Sequence, residues 1–471
     1  MIRSIKKLGL ATLLLSAPTF AADDIFSAIK ESKFSGSLRA KYFLTDWEDE
    51  SKTTGVCPPK ATECKDAKGF SVGGGLSMKT APLYNISAKV SFWTVTGFGW
   101  TGKSDGYTAT TSLDLFKNNA YGQGYSVLAE SYLEYNDKKN MVRIGRTEYE
   151  NPFFASNDTK MIPATFEGLF IQSNIIKDTT IEFDYVTKMK QRRDTEFGKL
   201  TNTIDTPIAI RKHYENHNDP DLMVFGVKNR SIKNLQLQLW GMHWWNIVNQ
   251  VMAEANYTFK TQDLTHTFGV RGYLQYDDGA GKIIKPKDNK LGDNDNSIDS
   301  WLYAVRYILG YKNFKFLLAY SQTSKDGDII APFRGFPTDG YTRSMTQTDW
   351  NAGTKAYKIG VDYSVPQIKG LLVQLSYSYY NRDESKVPYQ SMTNRGFNNG
   401  DTKQWNLDIT ERFEGRLKGL MLRGRFMIQD NDKTTACLST PPSPPSPLDY
   451  KVRCNKNTNN KEVRLEMVYN F

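Results

Sequence analysis

From Phe34 onward the chain is a succession of segments, each about ten residues long, in which apolar and polar side chains alternate. The last of them, "KEVRLEMVYNF", shows the pattern most plainly. Val463, Leu465, Met467, Tyr469 and Phe471 take every second position, and Glu462, Arg464, Glu466 and Asn470 take most of those between. A period of two describes a β-strand with one apolar and one polar face. About eighteen such segments can be counted, among them "FSGSLRAKYFL", "MVRIGRTEY", "TIEFDYVTK" and "LMLRGRFMIQ", a number within the range of membrane barrels. The connections narrow the choice. "APLY", "NDKK", "NIIKD", "SIKN", "KTQDL", "GYKN", "VPQIKG" and "EGRLKG" are short, and long polar stretches alternate with them near 45–70, 98–123, 189–220, 277–298, 324–353, 382–401 and 430–460. This rhythm predicts an all-β fold: a transmembrane antiparallel β-barrel with short periplasmic turns and long exterior loops. An open sheet edge cannot satisfy its backbone in lipid, so the last strand is expected to close against the first, "FSGSLRAKYFL". Taken alone, the terminal segment also fits the edge strand of a secreted sheet protein.

Composition agrees with a barrel and argues against a bundle of spanning helices. The 471 residues are 24% charged with a mean hydropathy of -0.54, and after the first fifteen no run approaches the roughly 20 apolar residues a spanning helix needs. Aromatics reach 13%, a supply suited to girdles at the membrane interfaces. Arg3, Lys6 and Lys7, an apolar stretch from Leu8 to Leu15, and Thr19 and Ala21 have the order of an export signal cleaved after Ala21. A short amphipathic helix is the alternative for residues 1–21. Removing that segment takes three cations and no anions from a formal net charge of +10. Residues 22–471 are then expected to form one barrel domain, with 22–33 a short periplasmic segment in which "DDIFSAIKES" can form a helical turn.

Charges on the face opposite the lipid set a barrel's selectivity. If Leu420, Leu422, Phe426 and Ile428 face lipid, Arg423 and Arg425 face the lumen. The same reasoning turns Arg39, Lys41, Arg143, Arg271, Arg306, Lys358, Arg382, Arg412 and Arg464 inward, with Glu182, Asp184, Asp362 and Asp408 as inward acids. A lipid-facing arginine costs about 2–4 kcal/mol at mid-depth, so orientation alone does not require a role. Their recurrence on many strands suggests a basic track that attracts anions or carboxylates, although wall salt bridges would also use inward arginines.

One connection differs from the rest. "GRTEYENPFFASNDTKMIPATFEG" carries Pro152, Pro163, paired Phe153 and Phe154, and an Asn157-Asp158 turn, and is less charged than the other long loops. Such a loop is expected to pack, and in a barrel its partner is the lumen wall. Residues 147–164 are therefore expected to fold inward as a constriction, carrying Phe153, Phe154, Asn157, Asp158, Lys160 and Pro163. The run Asn157-Asp158-x-Lys160-Met161-x-Pro163-x-Thr165-Phe166-x-Gly168, after Gly145-Arg146, resembles the OprD family of outer-membrane porins. That resemblance implies an eighteen-stranded barrel, a third exterior loop folded into the pore, a basic wall ladder, and facilitated diffusion of small, often carboxylate-bearing solutes. Lys160 stands where arginine is expected in the family pattern, which keeps the charge and loses two-pronged geometry.

Other features fit around this reading. Cys57 with Cys64 and Cys437 with Cys454 would each close a local loop if disulfide-bonded. A zinc site is the alternative, but the pairs are far apart in sequence and no histidine is near either. "PPSPPSP" at 441–447 would stiffen one exterior loop. His213 and His217 in "HYENH" lack the glutamate placement of HExxH, and no Gly-x-Ser-x-Gly elbow is present, so an enzyme is weakly supported. No cofactor or metal is implied. A closed structural or adhesive barrel displaying its loops is the competing function. Small barrels are filled by side chains, whereas sixteen to eighteen strands leave a channel. A pI near 9.1 is explained by lumen residues without nucleic acid. The expected partners are small solutes, the lipid and lipopolysaccharide of a bacterial outer membrane, and its barrel-assembly machinery, for which the aromatic Phe471 resembles the terminal signal.

Overall fold

The computed structural model describes residues 22–48, 66–97, 115–117, 122–203, 205–284, 298–334, 340–383, 400–432 and 459–471. The expected export signal, all four cysteines and the proline-rich tract lie outside the described residues.

Eighteen antiparallel strands form one sheet. In order they are β1 (Lys33–Trp47), β2 (Ala67–Lys79), β3 (Ile86–Gly97), β4 (Tyr125–Asn136), β5 (Asn140–Thr147) and β6 (Thr165–Ser173). Then follow β7 (Thr179–Lys190), β8 (Leu222–Asn229), β9 (Leu235–Trp244), β10 (Val248–Thr261), β11 (Leu264–Asp277) and β12 (Ser300–Tyr311). The series ends with β13 (Phe314–Thr323), β14 (Lys355–Ser364), β15 (Leu371–Asn381), β16 (Thr402–Arg412), β17 (Leu420–Asn431) and β18 (Asn460–Asn470). Each strand pairs with its sequence neighbours, and β1 pairs with β18, Ser37 opposite Asn470 and Trp47 opposite Asn460. The sheet is thus closed and has no edge. At the seam, Gly36 and Phe471 exchange backbone hydrogen bonds of 2.8 and 3.0 Å. A side chain at position 36 would push against the Phe471 ring and force it to shift, so glycine suits the close approach there.

Alternation sorts the two faces as expected for a membrane barrel. Leu38, Ile144, Leu422, Phe426 and Ile428 are exposed on the outside, while Arg39 and Lys41 are buried inside. Outward aromatics stack across strands. Tyr303, Tyr320, Tyr357 and Tyr379 run in a row at centroid spacings of 5.9, 5.0 and 6.2 Å, and Phe314 meets Tyr363 at 4.5 Å near the short turns. These rows are the interfacial girdles that the aromatic content allowed.

At the short-turn end, α1 (Ile25–Lys30) is capped by Asp24, which accepts from the Ser27 amide at 2.7 Å. It is pinned to the β2–β3 turn by Ala81 N–H donating to Ala28 O at 3.0 Å. At the other end, α2 (Ile208–Glu215) and α3 (Ala280–Ile284) contribute Ile210, Tyr214, Ala280 and Ile284 to an interior apolar cluster. His213 lies on α2, with its ring stacked on that of His217 at 4.9 Å, where a polar loop was expected.

Two long connections enter the barrel. In the β5–β6 connection Phe153 and Phe154 pack with Phe166, Phe170, Trp240 and Tyr273, and Met161 and Ile162 pack with Phe43, Trp93 and Val127 on the other side. The segment therefore crosses the interior. The β13–β14 connection, expected as one more polar exterior loop, also lies inside. Its Ile329, Ile330, Phe333, Tyr341 and Trp350 are buried in the larger cluster. Inward glutamines hold its backbone: Gln250 Nε2 donates to Ile330 O at 2.7 Å, and Gln275 Oε1 accepts from Ile330 N at 2.8 Å. The two connections meet where Ala155 N–H donates to Phe333 O at 3.1 Å.

Candidate functional site: a charged lumen

Between the β5–β6 connection and the short turns the barrel encloses a void of about 1510 Å³. Its lining includes ten cationic residues, Arg39, Lys41, Lys228, Arg230, Lys315, Arg343, Lys369, Arg412, Arg423 and Arg425. Six acidic residues stand among them: Glu148, Glu150, Asp158, Glu254, Asp362 and Glu466. Cations exceed acids, and the excess is greatest on β16 and β17. There one carboxylate, Asp408, serves two guanidiniums, Arg423 Nε at 2.8 Å and Arg425 Nε at 3.0 Å. Arg412 lines the void close by.

Arg39 joins the wall to the inward β5–β6 connection. It forms a two-pronged pair with Asp158, with Nη2 to Oδ2 at 2.7 Å, and its Nη1 donates to the carbonyls of Lys160 and Met161 at 3.2 Å. Its guanidinium also lies 4.5 Å over the Trp93 ring. Lys41, fully buried, pairs with Glu466 at 2.9 Å across the β1–β18 seam.

The other expected track residues face inward without lining this void. Arg143 is held by Glu134 at 2.6 Å and stacks on Tyr132. Arg271 pairs with Glu254, and Arg306 donates to Asn256 Oδ1 at 2.6 Å. Both guanidiniums sit over the Tyr341 ring, at 4.9 and 4.1 Å. Lys358 Nζ donates to Arg343 O, Arg382 Nη2 to Gln347 Oε1 at 2.8 Å, and Arg464 Nε to Glu462 Oε1 at 2.5 Å. In the β5–β6 connection, Phe153 and Phe154 are core, Asn157 has a positive φ of 45°, and Lys160 Nζ lies 4.6 Å from the Phe43 ring centre. Pro163 O accepts from buried Lys190 at 3.0 Å.

The structure adds cations that alternation did not single out. Arg343 enters on the β13–β14 connection, and Lys228, Arg230, Lys315 and Lys369 lie near the short turns. The wall itself carried a signal for the inward connection. β9 reads "LQLQLWGMHW", with Leu237 and Leu239 exposed outside and Trp240, Met242 and Trp244 buried inside. A strand apolar on both faces needs a covering partner in the lumen. Among the described residues no group of three or more His, Cys, Asp or Glu side chains is placed to hold a metal ion.

Glu148, half-buried just beyond β5, gives the lumen a pH response. Burial first, then the neighbouring Glu130 and Asp158 carboxylates, push its carboxyl up to about 8, against the pull of Lys89 and Arg39. Its amide donates to Glu130 Oε1 at 3.3 Å, and Lys89 pairs with Glu130 at 2.5 Å. Glu148 thus holds its proton to higher pH than an ordinary carboxyl and gains negative charge as pH rises through about 8. Anion preference, read from the reversal potential, is expected to fall between about pH 7 and pH 9. In Glu148→Gln that fall is expected to be smaller.

A closed eighteen-stranded barrel with a lipid-facing belt, a charged lumen and inward-folded connections defines an outer-membrane porin architecture. Comparison with solved structures agrees. OccK9 (OpdG) of Pseudomonas aeruginosa superposes with a TM-score of 0.71 at 16% identity, covering 94% of this chain and 99% of that one. OccAB3 of Acinetobacter baumannii gives 0.69 at 20% identity, covering 94% and 100%. In sequence, Porin D of Pseudomonas aeruginosa is 24% identical over 300 residues, 60% of this chain and 62% of that relative's length. The family model "outer membrane porin, OprD family" matches residues 104–436. The chain belongs to the OprD family of outer membrane porins, and its location is the outer membrane of a Gram-negative bacterium.

Proposed function

We propose that the barrel passes small polar solutes by passive diffusion and favours anionic or carboxylate-bearing ones, such as amino acids, short peptides and organic acids. The observation that carries this reading is the void's excess of cations over carboxylates, with Arg412, Arg423 and Arg425 gathered around the single Asp408. Guanidinium pairs with carboxylate in two-pronged geometry, so a carboxylate entering the lumen finds donors that Asp408 does not saturate.

The test is single-channel conductance in a planar bilayer, with the reversal potential taken under a potassium chloride gradient. Anion-preferring steps are expected. Arg423→Ala with Arg425→Ala is expected to lower the anion-to-cation permeability ratio about fivefold, since a charge at close range in water is worth about 1 kcal/mol. Cation-preferring steps would remove the anionic preference and keep the pore. Absence of steps from folded protein would favour a closed barrel that displays its exterior loops.

A further inference from the structure

Four of the short turns share one local design. Ile176-Lys177-Asp178, Ile232-Lys233-Asn234, Ile368-Lys369-Gly370 and Leu417-Lys418-Gly419 each place an aliphatic residue, a lysine and then a residue with positive φ, at 55°, 67°, 102° and 99°. In three of them the carbonyl of the aliphatic residue accepts from the amide three positions on, at 3.1 Å. The left-handed residue turns the chain back into the next strand, which leaves the two side chains before it at the tip. All four lysines are exposed, and the aliphatic side chains are 50–56% exposed. A lone exposed isoleucine is ordinary. Recurrence at one turn position, always beside a lysine, is not explained by packing or by strand pairing.

Placement indicates what the tips meet. The first two turns join β6 to β7 and β8 to β9, and the others join β14 to β15 and β16 to β17. In a ring of 18 strands these two groups stand on nearly opposite sides of the mouth. A globular partner seated on one flank would reach only one group, whereas a lipid leaflet surrounds both. The strands leading from these turns present outward Leu237, Leu239, Leu375 and Leu422, so the aliphatic tips extend the lipid-facing belt. Lys369 differs from the other three: it borders the lumen void and pairs with Glu414 at 2.5 Å, so the lysines that stand clear of the void are Lys177, Lys233 and Lys418.

We infer that these turns form a phospholipid-binding rim on the periplasmic leaflet, each aliphatic tip seated at the headgroup boundary and Lys177, Lys233 and Lys418 each taking the phosphate of an anionic phospholipid. Lysine suits this role because its stem can lie along apolar surface while the ammonium reaches the headgroup.

Native mass spectrometry of the folded full-length barrel, titrated with phosphatidylglycerol or with phosphatidylcholine of the same chains, tests the inference. The unmodified protein is expected to prefer phosphatidylglycerol. Lys177→Gln, Lys233→Gln and Lys418→Gln together are expected to weaken phosphatidylglycerol binding about fivefold per site and leave phosphatidylcholine binding unchanged. The matching three lysine-to-arginine changes should keep the preference, which separates loss of charge from loss of fold. Ile176→Ser, Ile232→Ser, Ile368→Ser and Leu417→Ser should weaken both lipids alike. Equal binding of the two lipids by the unmodified protein, or an undiminished preference in the glutamine variant, overturns the inference.

Discussion

Replacing Arg39 by alanine is expected to detach the inward β5–β6 connection from the β1 wall and to destabilise the barrel by about 3 kcal/mol. The change removes the two-pronged pair with Asp158, the bonds to the carbonyls of Lys160 and Met161, and the stacking on Trp93. It also leaves Asp158 largely buried without its guanidinium, and that penalty dominates when one partner of an interior pair is lost. Two readouts are expected to move together. The urea midpoint followed by tryptophan fluorescence in micelles falls, and single-channel conductance rises and becomes noisier as the segment leaves its seat. Arg39→Lys keeps the charge without the fork and is expected to lie between the two. Unchanged conductance and midpoint in Arg39→Ala would mean that packing by Phe153, Phe154, Met161 and Ile162 holds the segment by itself.

Removing the carboxylate at Glu254 is expected to cost about 3–5 kcal/mol. Glu254 is almost fully buried between Arg271 and Arg306, and its Oε1 accepts from Asn256 Nδ2 at 2.6 Å. With Glu254→Leu the two guanidiniums over the Tyr341 ring lose their shared counter-charge and repel one another. Adding Arg271→Met is expected to recover much of the loss, because replacing both partners of a buried pair costs less than breaking it. The urea midpoints of the two single variants and the double variant check this. A double variant as unstable as the sum of the two singles would show that the pair is not coupled.

Which face each strand residue takes was readable from alternation alone. Leu422 and Phe426 outward fixed Arg423 and Arg425 inward, and the same held at Leu38 and Arg39. Which acid each base meets was not readable, because partners come from other strands in a register that a single segment does not encode. Lys41 and Glu466 lie near opposite ends of the chain and touch only because β1 and β18 close the ring. That register divides the expected track into cations that line the void, such as Arg412, and cations held in the wall, such as Arg143 and Arg271. The β5–β6 connection could be read as inward because two prolines and paired phenylalanines concentrate its apolar character. The β13–β14 connection was hidden, since Ile329, Ile330, Phe333 and Trp350 are scattered among charged and small polar residues. Its clearest trace was on its partners, the strands β8 to β10, whose inner faces are apolar toward the exterior end.

The seam between β1 and β18 has a consequence for the order of assembly. Every other strand can pair with the one that precedes it in the chain, as soon as both are present. β1 has to wait for a partner more than 400 residues downstream. Until that partner docks, the nascent sheet carries two raw edges, the kind of intermediate prone to mispairing and aggregation. Closure is therefore a late event, and a substitution such as Gly36→Val at the docking point is expected to slow insertion more than its small size suggests.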